Sequence, residues 1–228
     1  MIITIDGPSG SGKSTVARLL ANRLEFYCIS SGILYRALAY VLVRHYHYQP
    51  KQLSRIRSST VERAINSSKI VYRYSTRDGA HIALDGVDIT ASLKSERIDQ
   101  ASSLLAVNKS VREVLTHFQR KLAQGKDVVI EGRDSGSVVF PDAEFKFFLT
   151  ASIEIRAARW QADQAKKGVS VSLAQAIQLM KTRDERDAGR AVAPLVIPKG
   201  AIIVDTSSRT IEQTLDYIMH AIKVPSTQ

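Results

Sequence analysis

The most specific chemistry in the sequence lies close to its N-terminus. Gly7-Pro8-Ser9-Gly10-Ser11-Gly12-Lys13-Ser14 fits G-x-x-x-x-G-K-[ST] at every defined position, and Thr15 follows directly. Glycines at these places let the backbone curl so that successive N–H groups face one concavity, where phosphate oxygens would accept from them. A helix starting at the end of the loop adds the positive end of its dipole to that field. Lys13 has the reach for β- and γ-phosphates, and the Ser14 hydroxyl suits a magnesium ion. The pattern implies that the chain binds a nucleoside triphosphate.

Residues further along indicate what is done with it. No N/T-K-x-D motif that would read guanine is present, which argues against a GTPase switch. An apolar run ends in Val129-Ile130-Glu131-Gly132-Arg133-Asp134. Glu131 could hold Mg²⁺ through a water, and Arg133 just beyond it suits a phosphate acceptor better than a motor. Arg183, Asp187 and Arg190 stand at i, i+4 and i+7, on one face of a predicted helix. Arg156 and Arg159 are three apart on the helix before it. Any one of these arginines alone reads as a surface salt bridge. Together they suit phosphoryl transfer, which needs positive groups spread over two mutually repelling anionic substrates. The planar guanidinium can bind two oxygens at once.

These residues need a frame to hold them. Ile2, Ile3 and Ile5 read as a short strand before the loop, and Val16, Leu19, Leu20 and Leu24 give a helix after it. Helical spacing returns through Tyr35, Leu38, Leu42 and Val43. From Lys69 the pattern becomes short β-favouring runs broken by Asp78-Gly79 and Asp85-Gly86, a small antiparallel meander. Val111, Val114, Leu115, Phe118 and Leu122 make one helical stripe that Gly125 ends. Strands are expected at 127–130, 144–149 and 201–205, and helices at about 152–167, 172–188 and 209–223. Strands alternating with helices indicate an α/β core with a mainly parallel sheet, interrupted by the meander.

Composition narrows the class. The chain has 228 residues, 44% hydrophobic and 24% charged, ordinary for a globular protein. No apolar run approaches the roughly 18–20 residues of a membrane span. The N-terminus lacks the basic-then-apolar pattern of a secretory signal. Cys28, the single cysteine, excludes an internal disulfide framework. A cytoplasmic protein is expected. Of the net charge of +10, residues 36–77 supply +8, with nine Lys or Arg against Glu62 alone. Such a block can attract a phosphate-bearing substrate, an acidic partner or nucleic acid, or be a solvated basic face. The motifs of the usual RNA-binding modules are missing, so no nucleic-acid partner is expected. His45 and His47, two apart, would point to different faces of a helix and are read as surface residues. Trp160 is read as packing.

The strings IDGPSGSGKST (5–15), SGILYRAL (31–38), EGRDSGSVVFPDA (131–143) and RDERDAGRAVAPL (183–195) resemble bacterial cytidylate kinases in order and spacing, over essentially the whole chain. The resemblance implies a P-loop kinase with a parallel core sheet, helices on both faces, a small antiparallel insert in the NMP-binding region and a helical lid. On that reading one domain spans 1–228, with the core at about 1–58, 93–150 and 195–228, the insert at 59–92 and the lid near 155–190. The implied reaction moves the γ-phosphoryl group of ATP, with Mg²⁺, to CMP or dCMP, and the enzyme is expected to be a monomer. Matched position by position, Ser31 and Arg36 would lie in the acceptor site, with Arg36 on the CMP phosphate. Ser103, Arg112 and Asp134 would read the cytosine edge. Asp187, aided by Arg183, would hold the ribose, and Arg133 and Arg190 would bridge phosphates alongside Lys13. Lys94 would contact the acceptor where the family mostly has Arg. Ser30 and Glu131 stand where it usually has Asp. No general base is assigned, since the attacking phosphate oxygen is already anionic.

Overall fold

Aliphatic strand segments with few charges and helices with one apolar stripe dictate the architecture. The structure is a computed structural model that describes residues 1–166 and 168–223. Lys167 and residues 224–228, at the ends of the expected helix 152–167 and core segment 195–228, lie outside the described residues. In chain order, β1 (Ile2–Asp6), α1 (Lys13–Leu24), β2 (Tyr27–Ser30), α2 (Ser31–Arg44), α3 (Pro50–Leu53) and α4 (Ser58–Ser67) come first. The meander follows as β3 (Val71–Ser75), β4 (Gly79–Leu84) and β5 (Val87–Asp88), then α5 (Glu96–Leu105) and α6 (Lys109–Ala123). The remainder is β6 (Val128–Gly132), β7 (Phe145–Thr150), α7 (Ile153–Ala165), α8 (Leu173–Ala188), β8 (Ile202–Asp205) and α9 (Ile211–Lys223). The fold is α/β, with a parallel core sheet and a small antiparallel one.

The chain divides into two units, residues 1–24 with 129–228, and residues 25–128. In the first, β1 lies between β6 and β7, and β8 flanks β7. β1 and β7 pair in parallel with Ile5 opposite Phe147, as do β7 and β8 with Phe148 opposite Ile203. Ile3, Ile5, Val129, Ile130 and Phe147 are fully buried, as expected of strands covered on both faces. In the second unit Leu34, Leu38 and Leu42 recur every four residues along α2 and are buried; each such burial stabilises by roughly 1.5–3 kcal/mol. The antiparallel sheet runs β3-β4-β5, with Tyr72 opposite Ile82 on its buried face and Arg73 opposite His81 on the other. Tyr72 fastens this sheet to β2: its hydroxyl donates to the Cys28 carbonyl and accepts from the Ser30 N–H, both at 2.9 Å.

Several elements differ from the sequence reading. The run expected as strand at 87–90 pairs only at Val87–Asp88, because the chain turns into a 3₁₀ segment at Thr90–Lys94. The helices at 50–67 and 96–105 and the strand at 27–30 were not read at all. His45 ends α2, and His47 lies beyond it with positive φ, so the two exposed histidines are not on one helix.

Candidate active site

Gly7 leaves β1 with φ +151°, and a Cβ there would come within 2.0 Å of the Leu149 carbonyl oxygen in β7. No side chain fits. The loop then folds inward on itself: the Ser11 hydroxyl and the Lys13 ammonium both donate to the Pro8 carbonyl, at 3.0 and 3.1 Å. Ser14 and Thr15 are exposed on the first turn of α1. Lys13 is 6% exposed. Burial, followed by repulsion from Arg133, pulls its ammonium down to about 7 despite the opposing carboxylate of Glu131. Arg183 and Asp187 act on it from the same neighbourhood. A buried, half-neutralised lysine among arginines is a site waiting for negative charge.

The acidic residues organise the arginines. Both oxygens of Asp187, which is buried on α8, are taken: one accepts from Arg133 Nε at 2.9 Å and the other from Arg190 Nη2. Burial works to raise the Asp187 carboxyl, but Arg133 and Arg190 together hold it below the usual carboxylate range. Arg190 reaches it from outside the helix, contrary to the single-face reading, because α8 stops at Ala188 and Gly189 caps it. The chain then loops back, and the Leu195 N–H donates to the Asp187 carbonyl at 2.9 Å. Glu131 is the fourth residue of β6 and 4% exposed, and Asp134, 6% exposed, precedes a wide turn at Ser135–Val139. That turn is gripped by Asp6, whose carboxylate accepts from the N–H groups of Ser135 and Gly136 at 2.8 and 2.7 Å. Burial pushes the Asp6 carboxyl up to about 6.

The outer side of the loop is tied as well. Arg156 Nη1 donates to the Ser9 carbonyl at 3.2 Å, Arg159 Nη1 to that of Gly10 at 3.5 Å, and the Thr206 hydroxyl to that of Ser11 at 3.1 Å. Arg159 also donates to Thr206, to its hydroxyl at 3.0 Å and its carbonyl at 2.7 Å. Trp160, one residue on, packs with Ile153 and Ile177 against buried Ala157, Ala176 and Met180, between α7 and α8.

In the second unit Ser31 opens α2 and is buried. Arg36, one turn on, is held by Asp99 of α5 at 2.6 Å. Arg112 on α6 is 4% exposed; it donates to the Ala106 carbonyl at 2.9 Å and lies 5.7 Å from the centre of the Tyr35 ring. Ser103 is half-buried on α5, and Lys94 is exposed at the end of the 3₁₀ segment. Of the residues picked from sequence, the first unit thus gathers Lys13, Glu131, Arg133, Arg183, Asp187 and Arg190, and the second holds Ser31, Arg36, Lys94, Ser103 and Arg112. Sequence reasoning missed Asp6, Asp99, Thr206 and Asp184, which pairs with Arg156 Nη1 at 2.7 Å. Asp6 touches the motif and could have been suspected. The others act through tertiary contacts that no spacing rule encodes.

The profile of the cytidylate kinase family matches residues 3–224. A cytidylate kinase of Caldanaerobacter subterraneus subsp. tengcongensis is 40% identical over 97% of this chain and 94% of its own. That of Chlamydia felis is 42% identical over 96% of each. Among solved structures, an uncharacterized protein from Eubacterium ventriosum superposes with a TM-score of 0.50 at 16% identity over 99% of both chains, a likeness of fold.

Proposed function

The chain belongs to the cytidylate kinase family, and from that premise we propose that it transfers the γ-phosphoryl group of Mg-ATP to CMP or dCMP, giving CDP or dCDP and ADP. The observation that carries the reading is a set of basic residues at the phosphate loop: Arg133 and Arg183 act on buried Lys13, and the Asp187 carboxylate holds Arg133 and Arg190. Loop amides and Lys13 grip the β- and γ-phosphates. Arg133 and Arg190, once released from Asp187, spread positive charge over the oxygens of the group in transfer. On the acceptor, Arg36 takes the CMP phosphate, with Ser31 and Lys94 beside it. Arg112 and Ser103 donate to the cytosine edge, Asp134 accepts from its exocyclic amine, and Asp187 with Arg183 orients the ribose. No side chain need act as base, because the attacking phosphate oxygen is an anion.

Magnesium suits the donor set present. Ser14 offers an exposed hydroxyl at the start of α1, and Glu131 a buried carboxylate within electrostatic range of Lys13. Both are hard oxygen donors. Ser14 would hold the ion and Glu131 would reach it through a water, and the bound ion would offset charge on the polyphosphate. ATP and CMP are cytoplasmic metabolites, and the reaction belongs in that compartment, carried out by a monomer that needs no nucleic acid. Among the described residues no helix is long and apolar enough to cross a membrane.

The test is an ADP-release assay with Mg-ATP against CMP, dCMP, UMP, AMP and GMP. Turnover confined to CMP and dCMP is the expected result. Turnover confined to another acceptor, or none with ATP still bound, overturns the reading.

A further inference from the structure

We propose that Arg156 is a positioning residue of the phosphate loop, acting through the Ser9 carbonyl, and that its ion pair with Asp184 ties the loop to α8. A trans peptide points its C=O and the next N–H in opposite directions. Holding the carbonyls of Ser9, Gly10 and Ser11 from the outside therefore turns the N–H groups of Gly10, Ser11 and Gly12 to the inside, where phosphate is bound. Arg156, Arg159 and Thr206 supply those three contacts. Arg156 is the most constrained of them. It is 6% exposed, its Nε is anchored on the Ala151 carbonyl at 3.0 Å, and its Nη1 lies 2.7 Å from Asp184 Oδ2. The loop rests directly on it: a Cβ added to Gly10 would lie 2.9 Å from both the Arg156 Cβ and its carbonyl oxygen.

Asp184 gives the contact its second consequence. It lies on α8 next to Arg183 and one turn before Asp187, which holds Arg133 and Arg190. One guanidinium thus fixes the loop and the helix that carries the phosphate-site charges. Its Nε and Nη1 are given to protein acceptors, and through the Ser9 carbonyl the side chain acts on the triphosphate by way of the loop backbone. An ammonium on a flexible stem cannot hold three separated acceptors in one plane.

The experiment measures dissociation constants for ATP and for CMP by calorimetry on Arg156→Gln, Arg156→Lys, Asp184→Asn and the Arg156→Gln/Asp184→Asn double variant. For Arg156→Gln the ATP constant should rise about tenfold to a hundredfold, the equivalent of one charge-assisted hydrogen bond, while that for CMP, reached only through α8, rises severalfold less. Arg156→Lys should not restore it. Asp184→Asn should shift the same constant less, and the double variant should bind no worse than Arg156→Gln, because Asp184 works through Arg156. The amide resonances of Gly10, Ser11 and Gly12 should move in Arg156→Gln before ATP is added. ATP affinity within about twofold of the parent, equal weakening toward both ligands, rescue by Lys, or additive losses in the double variant would each overturn the proposal. Should Arg156→Gln fail to fold, Asp184→Asn decides alone, by whether ATP affinity falls more than CMP affinity. The inference rests on the proposed function only for ATP as ligand; a protein that binds ATP but phosphorylates none of the five monophosphates sinks that reading and leaves this test intact.

Discussion

Lys13 and Asp6 are both buried ionisable residues, and burial moves them in opposite directions. With its ammonium pulled down to about 7, Lys13 is partly neutral at pH 7.5–8, and bound triphosphate restores its charge. ATP binding should therefore take up protons at pH 8 and almost none below pH 6, and affinity should fall as pH rises through about 7. Calorimetry in buffers of different ionisation enthalpy reads the uptake directly; heats independent of buffer at pH 8 would contradict it. Asp6, raised to about 6, keeps its proton in the folded state over a window where the unfolded chain has lost it. Its contribution to stability is full below the ordinary carboxylate value of 3.8 and is lost as pH rises through about 6. Asp6→Asn lacks that loss. Urea unfolding at stepped pH should show the parent losing ground to Asp6→Asn between about pH 4 and pH 6, whatever constant offset the amide adds; a pH-independent difference would contradict this.

Elements hold their residues through ends as much as through packing. Asn108, 9% exposed, caps α6 by accepting from the Val111 N–H at 3.2 Å, and its amide donates to the carbonyls of Ser54 and Ile56 at 3.2 and 2.9 Å. Asn108→Ala loses the cap and leaves two carbonyls unmet, a destabilisation of about 2–4 kcal/mol. Asn108→Ser keeps the cap and should cost less; equal losses in thermal unfolding would refute the division of roles. The order of elements was legible wherever an apolar period ran long enough, as in α6, α8 and α9, or wherever Asp-Gly turns separated β-branched runs. It was not legible from 50 to 67 or from 96 to 105, where short helices bury only a few residues, such as Val61 and Ala64, or Ile98 and Leu105. The phosphate loop was readable because its glycines answer to a local backbone need. Asp99 beside Arg36, and Arg156 beneath Ser9, were not, because the contacts span 63 and 147 residues and depend on the finished fold.

At the scale of the molecule, charge is the unspent feature. Residues 36–77 hold +8 of the net +10, and Arg55, Arg57 and Arg63 are exposed. Their field extends about 30 Å at 0.01 M salt and about 3 Å at 1 M. If it gathers anionic nucleotides, reversing the three to Glu should lower kcat/KM severalfold in low salt and leave kcat alone, the difference vanishing in high salt. No change at low salt would leave the basic face merely solvated. The seat of Trp160 between α7 and α8 has a practical consequence. It is the chain's one tryptophan, so all the tryptophan emission of the protein comes from a single helical hairpin. Cys28, the one thiol, is 4% exposed in the other unit, and its alkylation rate measures how often that unit opens. Each half of the kinase thus carries its own unlabelled reporter, optical in one and chemical in the other.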